Sequence, residues 1–232
     1  MKRSEINNLM RSAQEFLVAH QFYLPPFAAW TPAHWQGLDP EASELIESQL
    51  GWDITDFGSD DFDKCGLLLF TLRNGRSTSL PHFQGKTYAE KVMIIEVAQV
   101  TPLYFHWQKT EDIINRGGGN LVVQLYHATP DDELAAEEIT FNMDGITRQV
   151  PAGGTVILTP GESITLPPRL YHAFWGEGRR VLVGEVSKLN DDRTDNRFHQ
   201  PIGRFPKIME DEPPLHLLTA DYSNFFQPKS KP

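Results

Sequence analysis

Two stretches of the sequence bring together side chains of types that suit chemistry. One is Tyr104-Phe105-His106-Trp107-Gln108-Lys109-Thr110-Glu111, continuing through Asp112-Ile113-Ile114-Asn115-Arg116-Gly117-Gly118-Gly119. The other is Gly161-Glu162-Ser163-Ile164-Thr165-Leu166-Pro167-Pro168-Arg169-Leu170-Tyr171-His172. They offer imidazoles, carboxylates and a lysine, the groups that hold divalent metals and move protons. Cys65 is the single cysteine, so neither an internal disulfide nor a thiolate zinc site can form, and any metal must use imidazole and carboxylate. Alternate residues of a strand share one face. A pair two apart at the end of a strand therefore aims into a barrel, and a hairpin returns Glu111 beside it.

The elements that must position these residues are mainly strands. Leu67 to Leu72, Val92 to Val100, Leu121 to Tyr126, Glu138 to Met143, Thr155 to Leu158, Ser163 to Leu166 and Val181 to Val186 are short β-branched or apolar runs. Arg73-Asn74-Gly75, Asp144-Gly145 and Pro160-Gly161 punctuate them, a pattern of antiparallel hairpins in a sandwich or barrel. Ahead of the strands, Ile6, Leu9, Met10, Ala13, Phe16 and Leu17 recur at helical spacing, with Ser4 as N-cap and Glu5 in the first turn. Pro25 and Pro26 end that helix; Phe27 to Trp35 reads as an irregular packed segment, and a second short helix is expected from Glu41 to Leu50. One domain spanning 1–232 is expected, with a helical segment over about 1–66, a barrel over about 67–189 and a covering tail over about 190–232.

Composition removes several functions. A net charge of −10 without a basic stripe disfavours nucleic acid. No apolar run approaches the roughly 20 residues that span a bilayer, and Met1 to Phe22 lacks the apolar centre of a signal peptide. A cytoplasmic location and no membrane partner are the expectations.

The first stretch resembles the first cupin motif, with Glu111 and Gly118 at its spacing, and the second is similar to the second cupin motif, ending in His172. The likeness narrows further. Lys109 to Asn120, Pro160-Gly161-Glu162-Ser163, Leu166-Pro167-Pro168, Tyr171-His172-Ala173-Phe174-Trp175, Gly184-Glu185-Val186 and Gly51 to Gly58 resemble the D-lyxose isomerase family. That resemblance implies a mainly β, cupin-type antiparallel β-barrel (jelly roll) with N-terminal helices, working as a homodimer. It also implies a divalent metal, usually Mn(2+), and interconversion of D-lyxose with D-xylulose and often of D-mannose with D-fructose. Two positions depart from the family pattern: Tyr104 stands where the first motif has its first histidine, and Arg169 where the second has a glycine.

The ligand set that remains is His106, Glu111 and His172, two imidazoles and a carboxylate with open positions, as in facial Fe(II) sites that also accept manganese. Lys109 is either a solvated hairpin charge or, as the resemblance implies, part of the sugar site, where it would bind a hydroxyl or steady an enediolate. Glu185 follows an apolar run and is either an inward acid–base group or an edge charge; the inward reading makes it the candidate base. Asp195, Arg204 and Glu212 lie on the tail, which is expected to close the barrel mouth, and each is a candidate to touch sugar; Arg204 is carried as the sugar-binding residue. His20, His34, His82, His127, His199 and His216 fall outside both motifs and read as structural or surface residues. Trp107 and Trp175 flank ligand positions and read as packing groups. Two other functions use the same residues: a sugar-binding cupin without turnover, and an Fe(II) dioxygenase.

Overall fold

The computed structural model describes residues 1–36, 38, 42–75, 85–203 and 206–226. Its strands are β1 (Gly51–Thr55), β2 (Leu67–Asn74), β3 (Tyr88–Ile95), β4 (Thr101–His106), β5 (Glu111–His127), β6 (Ile139–Met143), β7 (Ile146–Val150), β8 (Thr155–Leu158), β9 (Ser163–Leu166), β10 (Leu170–Lys188) and β11 (Asn196–Phe198). The helices are α1 (Arg3–Ala19), α2 (Pro32–Gln36), α3 (Ser43–Glu47) and α4 (Tyr222–Phe225). The architecture is the mainly β, cupin-type one, with α1 laid outside the sheet.

Two long strands form the spine. β5 and β10 pair antiparallel from Leu170 opposite His127 to Ser187 opposite Glu111. β10 is flanked by β3 and β4, and β5 by β8 and β9. The spine bends where Gly117, Gly118 and Gly119 face the 177–181 excursion of β10. Gly118 has φ +93, and a Cβ there would lie 2.1 Å from the Arg180 carbonyl oxygen, so only glycine allows that crossing.

The apolar patterning follows from two cores. Leu67, Leu69, Met93, Ile95, Val181 and Val183 point into the barrel. Leu68, Phe70, Val92, Ile94 and Leu182 point outward, where Ile6, Met10, Ala13 and Leu17 of α1 cover them. Covering both faces is why β2 reads as an unbroken Leu-Leu-Leu-Phe run instead of alternating. Burying each large α1 side chain stabilises the packing by about 1.5–3 kcal/mol. Arg3 fastens the helix to the tail. Its guanidinium forks onto Asp221 with two 2.9 Å bonds and also donates to Glu210, which makes a buried cation tolerable.

Asp144-Gly145 forms the expected two-residue hairpin turn, with φ +51 and +79 and Met143 paired to Ile146. β8 and β9 have the bounds read from sequence. Several readings need correction. Lys2 occupies the N-cap, with Glu5 accepting its N–H, while Ser4 lies inside the helix and bonds Asp211. Gly51–Thr55 is a fully buried strand inside the stretch expected to be helical, and the tail contributes β11. Arg73 and Asn74 finish β2 beyond a bulge. β3 starts and ends earlier than Val92 to Val100, because Ala98 turns the chain at φ +59. The second helix covers only Ser43–Glu47 among the described residues.

Candidate metal centre

His106 ends β4, the 107–110 loop brings Glu111 to the start of β5, and His172 lies near the start of β10; β4 and β5 each pair with β10 and not with one another, so this loop is not the hairpin expected from the sequence. All three side chains are buried, and one donor atom from each lies within 4.8 Å of the others. His106 Nε2 is 3.4 Å from Glu111 Oε2, and His172 Nε2 is 3.2 Å from Glu111 Oε1. The His172 Nδ1–H donates to the Leu170 carbonyl at 3.0 Å, which leaves the Nε2 lone pair directed at the cluster. Both His106 nitrogens, both Glu111 oxygens and His172 Nε2 are buried without a hydrogen bond of adequate geometry. Such convergence of buried, unsatisfied donors is costly unless a cation lies among them, so the residues fit a divalent metal.

Lys109 connects this cluster to a second carboxylate. Its Nζ is 2.7 Å from Glu111 Oε2 and donates to Glu185 Oε1 at 2.9 Å. The contact with Glu111 is an ion pair whose angle falls short of a hydrogen bond. Glu185 shares the inward parity of Val181 and Val183, which settles its orientation: it is buried and also accepts from Ser187 Oγ. Burial would push the Glu111 carboxyl up, but the Lys109 ammonium outweighs it and holds it well below the usual carboxylate range. Glu185 is lowered in the same way by Lys109 and Lys91 against its burial. Burial would lower the Lys109 ammonium, yet Glu111 and Glu185 raise it. Burial and Lys109 lower His106, keeping the imidazole neutral.

Sequence reasoning missed Lys91, Asn190 and Asp192. Lys91 sits opposite Glu185 in the β3–β10 register, 3.6 Å from Glu185 and 3.6 Å from Asp192. Asn190 Oδ1 accepts from both Lys91 and Lys109, at 2.6 and 3.2 Å. The available signal was parity: Lys91 shares its strand face with Met93 and Ile95. Lys91, Lys109, Glu185 and Asp192 line one cavity with Tyr104, His106, Phe57 and Phe198. A larger open groove, about 1070 Å³, lies near Met1, Phe62 and Met209, far in the fold from the convergent donors, and carries none of them.

Asp195 braces the 107–110 loop. Its carboxylate accepts the Gln108 and Lys109 N–H groups and its carbonyl accepts that of Trp107. Glu212 instead binds Asn7 on α1. Arg204, the candidate sugar-binding residue, lies outside the described residues, as does His82. Arg169 takes φ +63 where the motif favours glycine. Its N–H holds the His106 carbonyl, while its guanidinium lies over Phe105 and Trp107 and pairs with Asp132 at 2.8 Å, away from the barrel mouth. His20, His199 and His216 have separate partners in the Phe16 carbonyl, Glu133 and the Trp30 carbonyl.

A family model described as D-lyxose isomerase matches residues 1–222. The chain belongs to the D-lyxose isomerase family. It is a sugar isomerase of that family. It is 51% identical over 228 residues to a D-lyxose/D-mannose isomerase of Serratia proteamaculans, covering 97% of this chain and 99% of the relative. Against the D-lyxose/D-mannose isomerase of Escherichia coli O157:H7 the identity is 50% over 228 residues, with 97% and 100% covered. Among solved structures, L-ribose isomerase of Cellulomonas parahominis with L-ribose superposes with TM-score 0.56 at 17% identity, covering 86% of this chain and 93% of the other. L-ribose isomerase of Acinetobacter sp. DL28 in complex with L-ribose gives TM-score 0.56 at 16% identity, with the same coverage. At these identities the structural likeness speaks for the fold. Among the described residues, no helix is long and apolar enough to cross a membrane.

Proposed function

We propose that this protein is a metal-dependent aldose–ketose isomerase acting on D-lyxose and D-xylulose, and on D-mannose and D-fructose, with Mn(2+) held by His106, Glu111 and His172. The observation that carries this reading is Lys109, buried and bridging the donor cluster to Glu185. The names of the two relatives supply the sugars. The metal would supply Lewis acidity toward the neighbouring O1 and O2 of an open-chain sugar.

The rest falls to side chains. Glu185, ionised because two ammonium groups depress it, takes the C2 proton and returns it to C1 through a cis-enediol, while the O2 hydroxyl proton passes to O1; one base can serve both carbons because they are bonded neighbours. Lys109 steadies negative charge developing on the sugar oxygen in a site shielded from water. Arg204 is proposed to touch the sugar from the tail. The family resemblance supports a cytoplasmic homodimer.

The test is turnover of D-lyxose and D-mannose by the manganese-loaded protein, with deuterium at C2 followed by NMR. Transfer or exchange of that label, lost in Glu185→Gln while metal content stays unchanged, is the expected result. Metal bound without turnover of either sugar would leave a binding protein, and dioxygen uptake with bound iron a dioxygenase; either would overturn the isomerase reading.

A further inference from the structure

Tyr104 lies two residues before His106 on β4, so the two side chains share a strand face. It is also the residue opposite His172 in the β4–β10 register. Its ring meets both imidazoles edge to face, with centroids 4.3 Å from His172 and 5.2 Å from His106. On its far side Phe198, opposite it in the β4–β11 register, packs at 5.5 Å, and Phe57 packs on Phe198 at 5.8 Å. The phenol ring is one member of an aromatic row crossing three strands and ending on a metal-site histidine.

We propose that Tyr104 is a positioning residue and not a donor: its ring fixes the two imidazoles and leaves a three-donor centre with one more exchangeable position than a four-donor centre has. The inference rests on the reading that His106, Glu111 and His172 hold a divalent cation. Ring-to-ring packing of this kind immobilises an imidazole by contact, and a phenol ordinarily keeps its proton at neutral pH, which makes it a weak donor to a divalent ion. A divalent ion held by three protein donors would leave room for sugar oxygens and water, so it should exchange readily.

The test needs no sugar. Metal-free parent, Tyr104→Phe, Tyr104→Ala and Tyr104→His proteins are titrated with Mn(2+), with free ion read by EPR. Tyr104→Phe, which keeps the ring, should bind within about threefold of the parent, the scatter of a neutral substitution. Tyr104→Ala should bind more weakly. Tyr104→His should bind tighter by at least about tenfold, the low end of what even a partner of a ligand contributes. Parent protein loaded with Fe(III) should show no tyrosinate charge-transfer absorption. A charge-transfer band, or tenfold weaker binding in Tyr104→Phe, would make the phenol a ligand and overturn the inference. Unchanged binding in Tyr104→Ala or no gain in Tyr104→His would also overturn it. Absence of binding in every variant would remove the metal centre with it. Bound manganese without sugar turnover would refute only the isomerase reading and leave this inference standing.

Discussion

Replacing Lys109 with methionine keeps most of the side chain's volume and removes one buried positive charge. In the parent that charge sits 2.7 Å from Glu111 and 2.9 Å from Glu185, and both carboxyls are almost wholly buried. Lys91, at 3.6 Å, remains for Glu185, but Glu111 keeps only the imidazoles of His106 and His172 as neighbours. Breaking a buried pair by deleting one partner costs about 3–5 kcal/mol. For a chain of this size that corresponds to a fall in Tm of roughly 6–20 °C in the metal-free protein. Manganese should then rescue Lys109→Met more than it stabilises the parent, because it restores the cation that Glu111 has lost. At about 100 times its Kd, a ligand adds about 2.7 kcal/mol in either protein, so the variant's excess gain has to come from tighter binding. Calorimetric melts of both proteins, with and without Mn(2+), read these quantities directly. A metal-free Lys109→Met protein as stable as the parent would refute the reasoning, and so would a smaller manganese-induced shift in the variant.

Two further outcomes follow from the same geometry. His172→Ala should abolish stoichiometric manganese in purified protein by elemental analysis, and unchanged content would refute the ligand assignment. Metal-free protein should lose stability as pH falls below about 6.5, because the unfolded chain takes up a proton that the depressed His106 refuses. It should lose more below about 4.5, as the depressed Glu111 and Glu185 carboxylates are forced to protonate. A Tm that stays flat or rises between about pH 6.5 and 5 would contradict this sign.

The ligand trio was legible because the spacing within each motif is local: a strand end with the short loop after it, and a second motif closing on His172, although β4 and β5 pair with β10 and not as the expected hairpin. β8 and β9 were legible because each alternates buried with more exposed positions. β1 was not, since all five of its residues are buried and Asp53 interrupts its apolar run. Lys91 was hidden by residue type, as a lysine between Glu90 and Val92 resembles a solvated strand charge until its register against Glu185 is known. Asn190 and Asp192 were hidden by long-range placement, lying in an aperiodic stretch tied to Asn74 and Lys91; Asp195 reads from the sequence as a residue near the sugar and not as the brace of the 107–110 loop.

The fork of Arg3 on Asp221 joins residues 218 positions apart. At about 5–20 residues per second, a ribosome would deliver Asp221 on the order of 10–40 s after Arg3. During that interval the apolar stripe of α1 can meet the outer face of β2 and β3 only after those strands have formed, and its buried guanidinium has no counter-charge until the tail emerges. Asn190, Asp192 and Asp195 arrive late as well. Nascent chains stalled before the tail should therefore be sensitive to proteases at α1 and lack a finished cavity, so the cell would meet this barrel as an active catalyst only near the end of its synthesis.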